Sequence, residues 1–464
     1  MYSKKFVAPL MGLFVTDVVS VTITRFAPWV NRILNPQLKE VYMVKRILLL
    51  ISSVLLSYGL GVAPVLAKEI TLWSRDTNQA QLRALVDAWN ETHETQIKLT
   101  LVAGQDFQSK LGLAMATGTP PDLAPIEVTA FPSFTSNGQL LDITDKARAL
   151  PYFDHLIPGH TAQGTYPKVG GRVYGISFFP DLAVLVYNKD LFEQAGLDPE
   201  NPPLSTRAEM KEAIERITAL DDDIYGFYAS LGCPGCNMFI MLPQIWASGG
   251  YVFNEDSTAA TFDDPEFAPL FEFYHELWMS GQLPRSAGTD TGSGFITLFQ
   301  AGKIGMQGSN SASVGSLIRD HPEINFGIAH LPGRESGVSS FVGGDVISIP
   351  TDSKHPDEAW EFIEWMSSEE VQLEYFAGFG MIPIRTDLYD PEKNPFFAED
   401  PRLVMAAESA GFGRVPWSPS HAKLFFAEVG PWQVLTQRAI LDGEYAEAVE
   451  ELQKEATELL SESQ

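Results

Sequence analysis

Glu127 and Asp181 are the acids whose surroundings set them apart in this chain. Glu127 closes the short apolar run at 123–128, and Asp181 lies in S-F-F-P-D-L-A-V-L-V, between a Phe-Phe-Pro kink and a stretch that reads as a buried strand. Two carboxylates at strand ends have three uses. About 5 to 9.5 Å apart, they would suit glycoside hydrolysis. As solvated loop acids they would do no chemistry. As acceptors they would hold the hydroxyls of a bound, unreacted ligand. The aromatic residues favour the third use: Trp73 ends the first strand, Phe178 and Phe179 form the kink, Trp246 precedes Ala-Ser-Gly-Gly, and Trp417 lies in V-P-W-S-P-S. Rings stack on the C–H faces of a sugar, whose hydroxyls need charged or amide partners. Trp89, Trp360 and Trp365 sit in amphipathic patterns and are expected in the core.

Local catalytic signatures are absent: there is no G-x-S-x-G elbow, no H-E-x-x-H, no Walker loop and no G-x-G-x-x-G after a strand. The eight histidines lack metal spacing, so no catalytic residue, metal or cofactor is expected. The only cysteines, Cys233 and Cys236, form one C-x-x-C pair. One pair cannot complete a four-thiolate zinc site, and in an exported chain it is expected to close a local disulfide.

The elements that must position these residues alternate. K-E-I-T-L-W-S-R-D reads as a strand, Leu82, Leu85, Val86 and Trp89 recur at helical spacing, and T-Q-I-K-L-T-L-V returns to strand. Strand, helix, strand argues for a parallel sheet with covering helices. Further on, Pro202 and Pro203 precede a helix in which Thr206 and Glu209 can form a capping box and Met210, Ala213, Ile214 and Ile217 share a face. Ala359, Phe362, Ile363 and Met366 mark another buried helix face, and E-Y-A-E-A-V-E-E-L an acidic amphipathic tail.

With 464 residues, 45% of them hydrophobic, the chain can build two sizeable cores. Its 59 acidic and 32 basic residues give a net charge of −27, which argues against a nucleic-acid partner. Residues 1–67 differ: they hold Lys4, Lys5, Arg25, Arg32, Lys39, Lys45 and Arg46 against only Asp17 and Glu40, so the remainder carries −32. From Met43, a basic start, an apolar stretch, Gly-Val-Ala-Pro and the small residue Ala67 read as a secretory signal, with translation starting at Met43 and cleavage after Ala67. The competing reading is an uncleaved anchor, since 47–66 is long enough to span a bilayer; its serines, glycines and proline weaken that.

The segment A-V-L-V-Y-N-K-D-L-F-E-Q-A-G-L-D-P-E-N-P-P-L-S-T-R-A-E-M resembles a pattern of the bacterial extracellular solute-binding proteins of family one, the group that includes maltose-binding protein. T-G-T-P-P-D-L-A-P-I-E, F-Q-A-G-K-I-G-M-Q-G-S, F-V-G-G-D-V-I-S-I-P and G-F-G-M-I-P-I-R are similar to further family segments, in the family's order; Arg207 stands where Trp is common. The resemblance covers the chain after Ala67. It implies an α/β, two-lobed periplasmic-binding-protein fold (type II-like), with a cleft between lobes joined by crossover segments near Phe179, Ser309 and 376–381. The expected lobes are 68–178 with 310–372, and 179–309 with 373–464. It also implies a periplasmic receptor, expected to be a monomer, that closes on a small solute, expected to be a carbohydrate, and docks on the transmembrane subunits of an ABC importer. Carried over by position, the ligand-binding residues are Arg75, Asp76 and Thr77 after Trp73, then Glu127, Phe179, Asp181, Asn237, Ser309, Asn310, Gly344, Asp345 and Trp417. Asn310 stands where family members often have an aromatic. The remaining readings are the same fold holding a polyamine or glycerophosphodiester, and a secreted carbohydrate-active enzyme.

Overall fold

The computed structural model describes residues 68–462, apart from 78, 167–169 and 293–295. The expected leader and its cut lie outside the described residues. Strand β1 (Glu69–Arg75) buries alternate residues, so Ile70, Leu72 and Ser74 point inward while Trp73 and Arg75 share the other face. Helix α1 (Gln79–Thr92) lays Leu82, Leu85, Val86 and Trp89 on the sheet, and β2 (Gln96–Val102) pairs parallel to β1. Each such apolar side chain contributes about 1.5–3 kcal/mol on burial, enough to fix the helix face. Helix α2 (Gly104–Ala116) leads to β3 (Ala124–Glu127), tied to β1 by the Trp73 N–H donating to Leu123 O (3.1 Å).

The central element is β4 (Ile176–Asn188), a strand of 13 residues. Its first half pairs antiparallel with β8 (Val342–Ser348), and β8 pairs in turn with β3, setting Asp345 opposite Glu127. Its second half pairs with β6 (Ile304–Asn310) on one side and β7 (Phe326–Ala329) on the other; β5 (Tyr225–Tyr228) runs parallel to β6. The sheet order is therefore β3–β8–β4–β6–β5, with β7 beside β4. Helices α3 (Arg207–Thr218), α4 (Pro234–Ala247), α5 (Phe267–Met279) and α8 (Tyr445–Glu462) cover the second part; α6 (Ser311–Asp320) follows β6, and α7 (Pro356–Met366) covers the first part. The Thr206–Glu209 capping box at α3 is formed on both sides.

Two cores result. Phe178 and Phe179 join Ile70, Leu85 and Phe362 in the first, while Leu182 to Tyr187 join Met210, Phe227 and Leu452 in the second. β4 thus leaves one core for the other at Pro180–Asp181, where proline supplies no N–H to the ladder. β8 crosses back at the same level: Val342 belongs to the second core and Ile347 to the first, with a bulge between Gly344 and Val346. The expected lobe boundary at 310 is corrected by this packing. Val314, Leu317, Phe326 and Ile328 pack in the second core because β6 and β7 pair with the second half of β4, so the return crossing falls at Gly343–Asp345 rather than near Ser309. Around 376–381 the chain touches both cores, with Phe376 and Met381 in the first and Ala377 in the second.

Candidate solute cleft

Between the two cores lies a cavity of about 670 Å³. β1 delivers Arg75 to it, β3 ends in it at Glu127, and the paired crossings bring Phe179 and Asp181 against Gly344 and Asp345. The turn at Gly344 requires glycine: φ is +98°, and a Cβ there would stand 1.9 Å from Phe179 O. Behind it, buried His160 donates from Nε2 to Gly343 O (2.8 Å) and takes the Ser177 hydroxyl at Nδ1 (2.7 Å). Burial holds that imidazole neutral, its pKa lowered to about 4.

Arg75 organises the charge. Its Nη2 donates to Asp345 Oδ1 (2.7 Å) and its Nη1 to Glu127 Oε2 (3.4 Å). The two carboxylates, beside Asp181, hold the guanidinium firmly charged. Burial pushes the Glu127 and Asp345 carboxyls upward, against the pull of Arg75. Asp181 accepts from Ala312 N (3.2 Å) and Ser311 Oγ (3.3 Å) at the start of α6; burial still raises its pKa to about 6. Phe239, Phe341 and Phe426 line the same cavity, with Glu428 as a further acid. The arrangement offers carboxylate acceptors, a cationic donor and apolar rings in one cavity, chemistry that holds hydroxyls and C–H faces together. The Cys233 and Cys236 sulfurs are bonded (2.01 Å) and line the same cavity at the start of α4.

Of the residues expected from sequence, the cavity gathers Arg75, Thr77, Glu127, Phe179, Asp181, Asn310, Gly344 and Asp345. Asn310 spends its side chain capping α6, accepting from Ser313 N (2.7 Å). Five others are not among its lining residues. Trp73 packs against the core under β3, and Asp76 accepts from Gly104 N (3.1 Å). Asn237 is buried and donates to Leu231 O (3.1 Å), because α4 turns Cys233, Cys236 and Phe239 toward the cavity at three-residue spacing and Asn237 away. Ser309 is fully buried, and Trp417 lines a separate cavity together with Trp246. Sequence reasoning missed Phe239, Phe341, Phe426 and Glu428. Helix phase from the cysteine pair marks Phe239, and Phe341 opens the F-V-G-G-D segment; Phe426 and Glu428 carry no local signal.

The profile of the bacterial extracellular solute-binding proteins matches residues 73–373. The chain is similar to a binding protein of Brucella abortus, 24% identical over 221 residues, and that match spans 47% of this chain and about half (52%) of the relative. It is similar also to the maltotriose-binding protein of Pyrococcus abyssi, 25% identical over 62% of this chain and 60% of the relative. Among solved structures, the cyclic α-maltosyl-1,6-maltose binding protein from Arthrobacter globiformis superposes with a TM-score of 0.74, at 23% identity, covering 85% of this chain and 99% of that one. That likeness agrees with the α/β fold of two lobes around a cleft expected from the sequence.

Proposed function

Because the chain belongs to the bacterial extracellular solute-binding protein family, we propose that it is the receptor of an ABC importer for a mono- or oligosaccharide. The lobes close on the solute about the paired crossings at Asp181 and Gly343, and the loaded form docks on the membrane permease. The observation that carries this reading is that one cavity at the junction of the cores is lined both by the Arg75–Glu127–Asp345–Asp181 cluster and by Phe239, Phe341 and Phe426. Closure is favoured only as far as the solute binds the closed form better than the open one. The names of the maltotriose and cyclic maltosyl-maltose relatives support a sugar. On this reading the chain is a monomer held in the periplasm after removal of residues 43–67, and its acids bind rather than catalyse. Glu127 and Asp345 share one guanidinium and Asp181 is held by α6, so neither pairing leaves a free acid opposite a free base.

A phosphodiester solute would want clustered cations, whereas the one cation lining the cavity among the described residues, Arg75, is taken by two carboxylates. A cationic solute such as a polyamine has a specific observation in its favour: Glu127, Asp181, Asp345 and Glu428 line the cavity against that single arginine. A thermal-shift screen of the purified full chain against mono- and disaccharides, polyols, glycerophosphodiesters and polyamines separates the readings. A solute at 100 times its dissociation constant adds about 2.7 kcal/mol. Stabilisation by one sugar class, with the sugar recovered intact, is the expected result. Stabilisation by a polyamine alone overturns the sugar, and recovery of a cleaved sugar overturns the receptor.

A further inference from the structure

A second cavity, of about 740 Å³, shares no lining residue with the solute cleft. Four large rings line it: Trp246 at the end of α4, Tyr251 and Phe253 just beyond, and Trp417 in the loop after Arg414. Two of the planes are held by stacking. Tyr166 stacks on Trp417 (5.5 Å, 17°), and Phe341, which lines the cleft, stacks on Trp246 (6.0 Å, 20°). Tyr251 stays 54% exposed, an unusual state for a large ring, with the Arg414 guanidinium 5.3 Å above it.

Three polar residues of this cavity's rim are engaged locally: Asn254 and Thr261 bond within the turn, and Asp264 accepts from Tyr251 N and Glu266 N. Arg414 and Glu255 both line it, and neither makes an ion pair among the described residues. Ser257, also on its lip, is the one non-glycine residue with positive φ (+53°) among the described residues, in the turn tied by Asn254 to Thr258 and Ala259. Such a conformation persists where the surroundings impose it, and it clusters at ligand clamps. One guanidinium beside Glu255 and Asp264 leaves no excess of positive charge, which disfavours an anion. Rings that offer faces, with an unpaired donor and an unpaired acceptor between them, suit a polyhydroxylated ring.

We propose that this cavity is a second saccharide site, separate from the solute cleft, in which a pyranose or furanose ring stacks on Tyr251 and Trp417 while Arg414 and Glu255 take its hydroxyls. The backbone gives the two sites a common part. Val342 N donates to Arg414 O (3.1 Å) and Arg414 N to Ser340 O (2.9 Å), so the strand that carries Phe341 into the cleft also fixes the loop that carries Trp417.

The test uses the full chain titrated with maltotriose, arabinotriose, mannotriose and cellotriose, read by calorimetry and by tryptophan fluorescence. At least one of the four is expected to give a binding event that Tyr251→Ala weakens about tenfold, the scale of one lost ring stack together with its guanidinium contact. Tyr251 is exposed, so its loss leaves the fold intact; Arg414→Gln provides a second variant with no cavity in the core. Asp181→Asn is expected to leave this event within about twofold, because its carboxylate lies in the other cavity. If all four sugars give no event sensitive to Tyr251→Ala or Arg414→Gln, the second site is overturned whatever the cleft binds. If the Tyr251-sensitive event persists while the cleft takes only a non-sugar, this site stands and the cleft reading falls.

Discussion

Replacing Asp181 by asparagine separates what the carboxylate does for the fold from what it does for the solute. Its pKa lies at about 6 rather than 3.8, with burial the leading cause. A group raised in this way contributes stability when protonated, fully present below about pH 3.8 and lost as pH rises through 6. At pH 7.5 the folded protein holds a carboxylate it would rather protonate. At 1.36 kcal/mol per pH unit the upper figure is ~3 kcal/mol, and partial exposure of Asp181 lowers it to about 1–2 kcal/mol. Asparagine keeps an acceptor for Ala312 N and Ser311 Oγ without that burden. The solute-free variant should therefore melt above the wild type at pH 7.5 by roughly 1–2 °C, and the gap should close by pH 4. Solute binding should move the other way. Bonds to a charged group are worth about 1.5–3 kcal/mol against 0.5–1.5 for a neutral one, so affinity should fall about tenfold for asparagine and further for alanine. Differential scanning fluorimetry at pH 4, 5.5 and 7.5, with calorimetry of the solute found by the screen, reads both arms. A variant that is less stable at pH 7.5, or equally shifted at pH 4, refutes the desolvated carboxylate. An alanine variant that binds normally removes Asp181 from the site.

Three further substitutions probe the same framework. Arg75→Met strands Asp345, whose side chain is only 5% exposed, and should cost about 3–5 kcal/mol at pH 7.5 and less at pH 5, as urea midpoints would show; Asp345→Asn in that background should restore much of the loss, and its failure to do so would mean the pair is not the reason. Gly344→Ala places a Cβ 1.9 Å from Phe179 O at φ +98° and should cost about 2–4 kcal/mol by the same assay; a variant within 0.5 kcal/mol (about one thirtieth to one tenth of a typical fold's stability) would mean the turn relaxes freely. Arg207, 5% exposed, has no carboxylate within ion-pair distance among the described residues; burial lowers its pKa to about 10, and its Nη2 meets only Ser248. Arg207→Met should raise stability by about 1–3 kcal/mol at neutral pH, checked by the melting temperature, and a drop would show that Ser248 and distant Glu266 compensate the charge.

Local signals in this chain were reliable where their physics is local. The period of Leu82, Leu85, Val86 and Trp89 marks α1, the Thr206–Glu209 box marks the start of α3, and the apolar runs ending in Glu127 and broken at Asp181 mark two strand positions that reach the cleft. Asp181 was legible because a carboxylate inside a buried run needs a reason. The side chains lost from the expected set share a different cause. Asn237 and Ser309 lie within one residue of positions that line the cavity, and one residue rotates a helix by about 100° and flips a strand face. Position carried over from a family pattern is good to a residue or two, which is not enough to aim a side chain.

The misplaced segment 310–342 has a longer-range cause. Its strand signals are correct, since Ile304–Asn310 and Phe326–Ala329 both form. Their assignment to a lobe depends on which half of the 13-residue β4 they hydrogen-bond, and nothing in either strand's own sequence encodes that register. Trp417 repeats the lesson. As an isolated ring in a proline-bracketed loop it suits a sugar face, but the pairing of Arg414 with Phe341 turns its loop toward Tyr251 and away from Asp181. The same pairing explains why Phe341, from the other side of that ladder, reaches the cleft in its place. Composition tells which residues suit a solute, and long-range register decides which of two cavities each one serves.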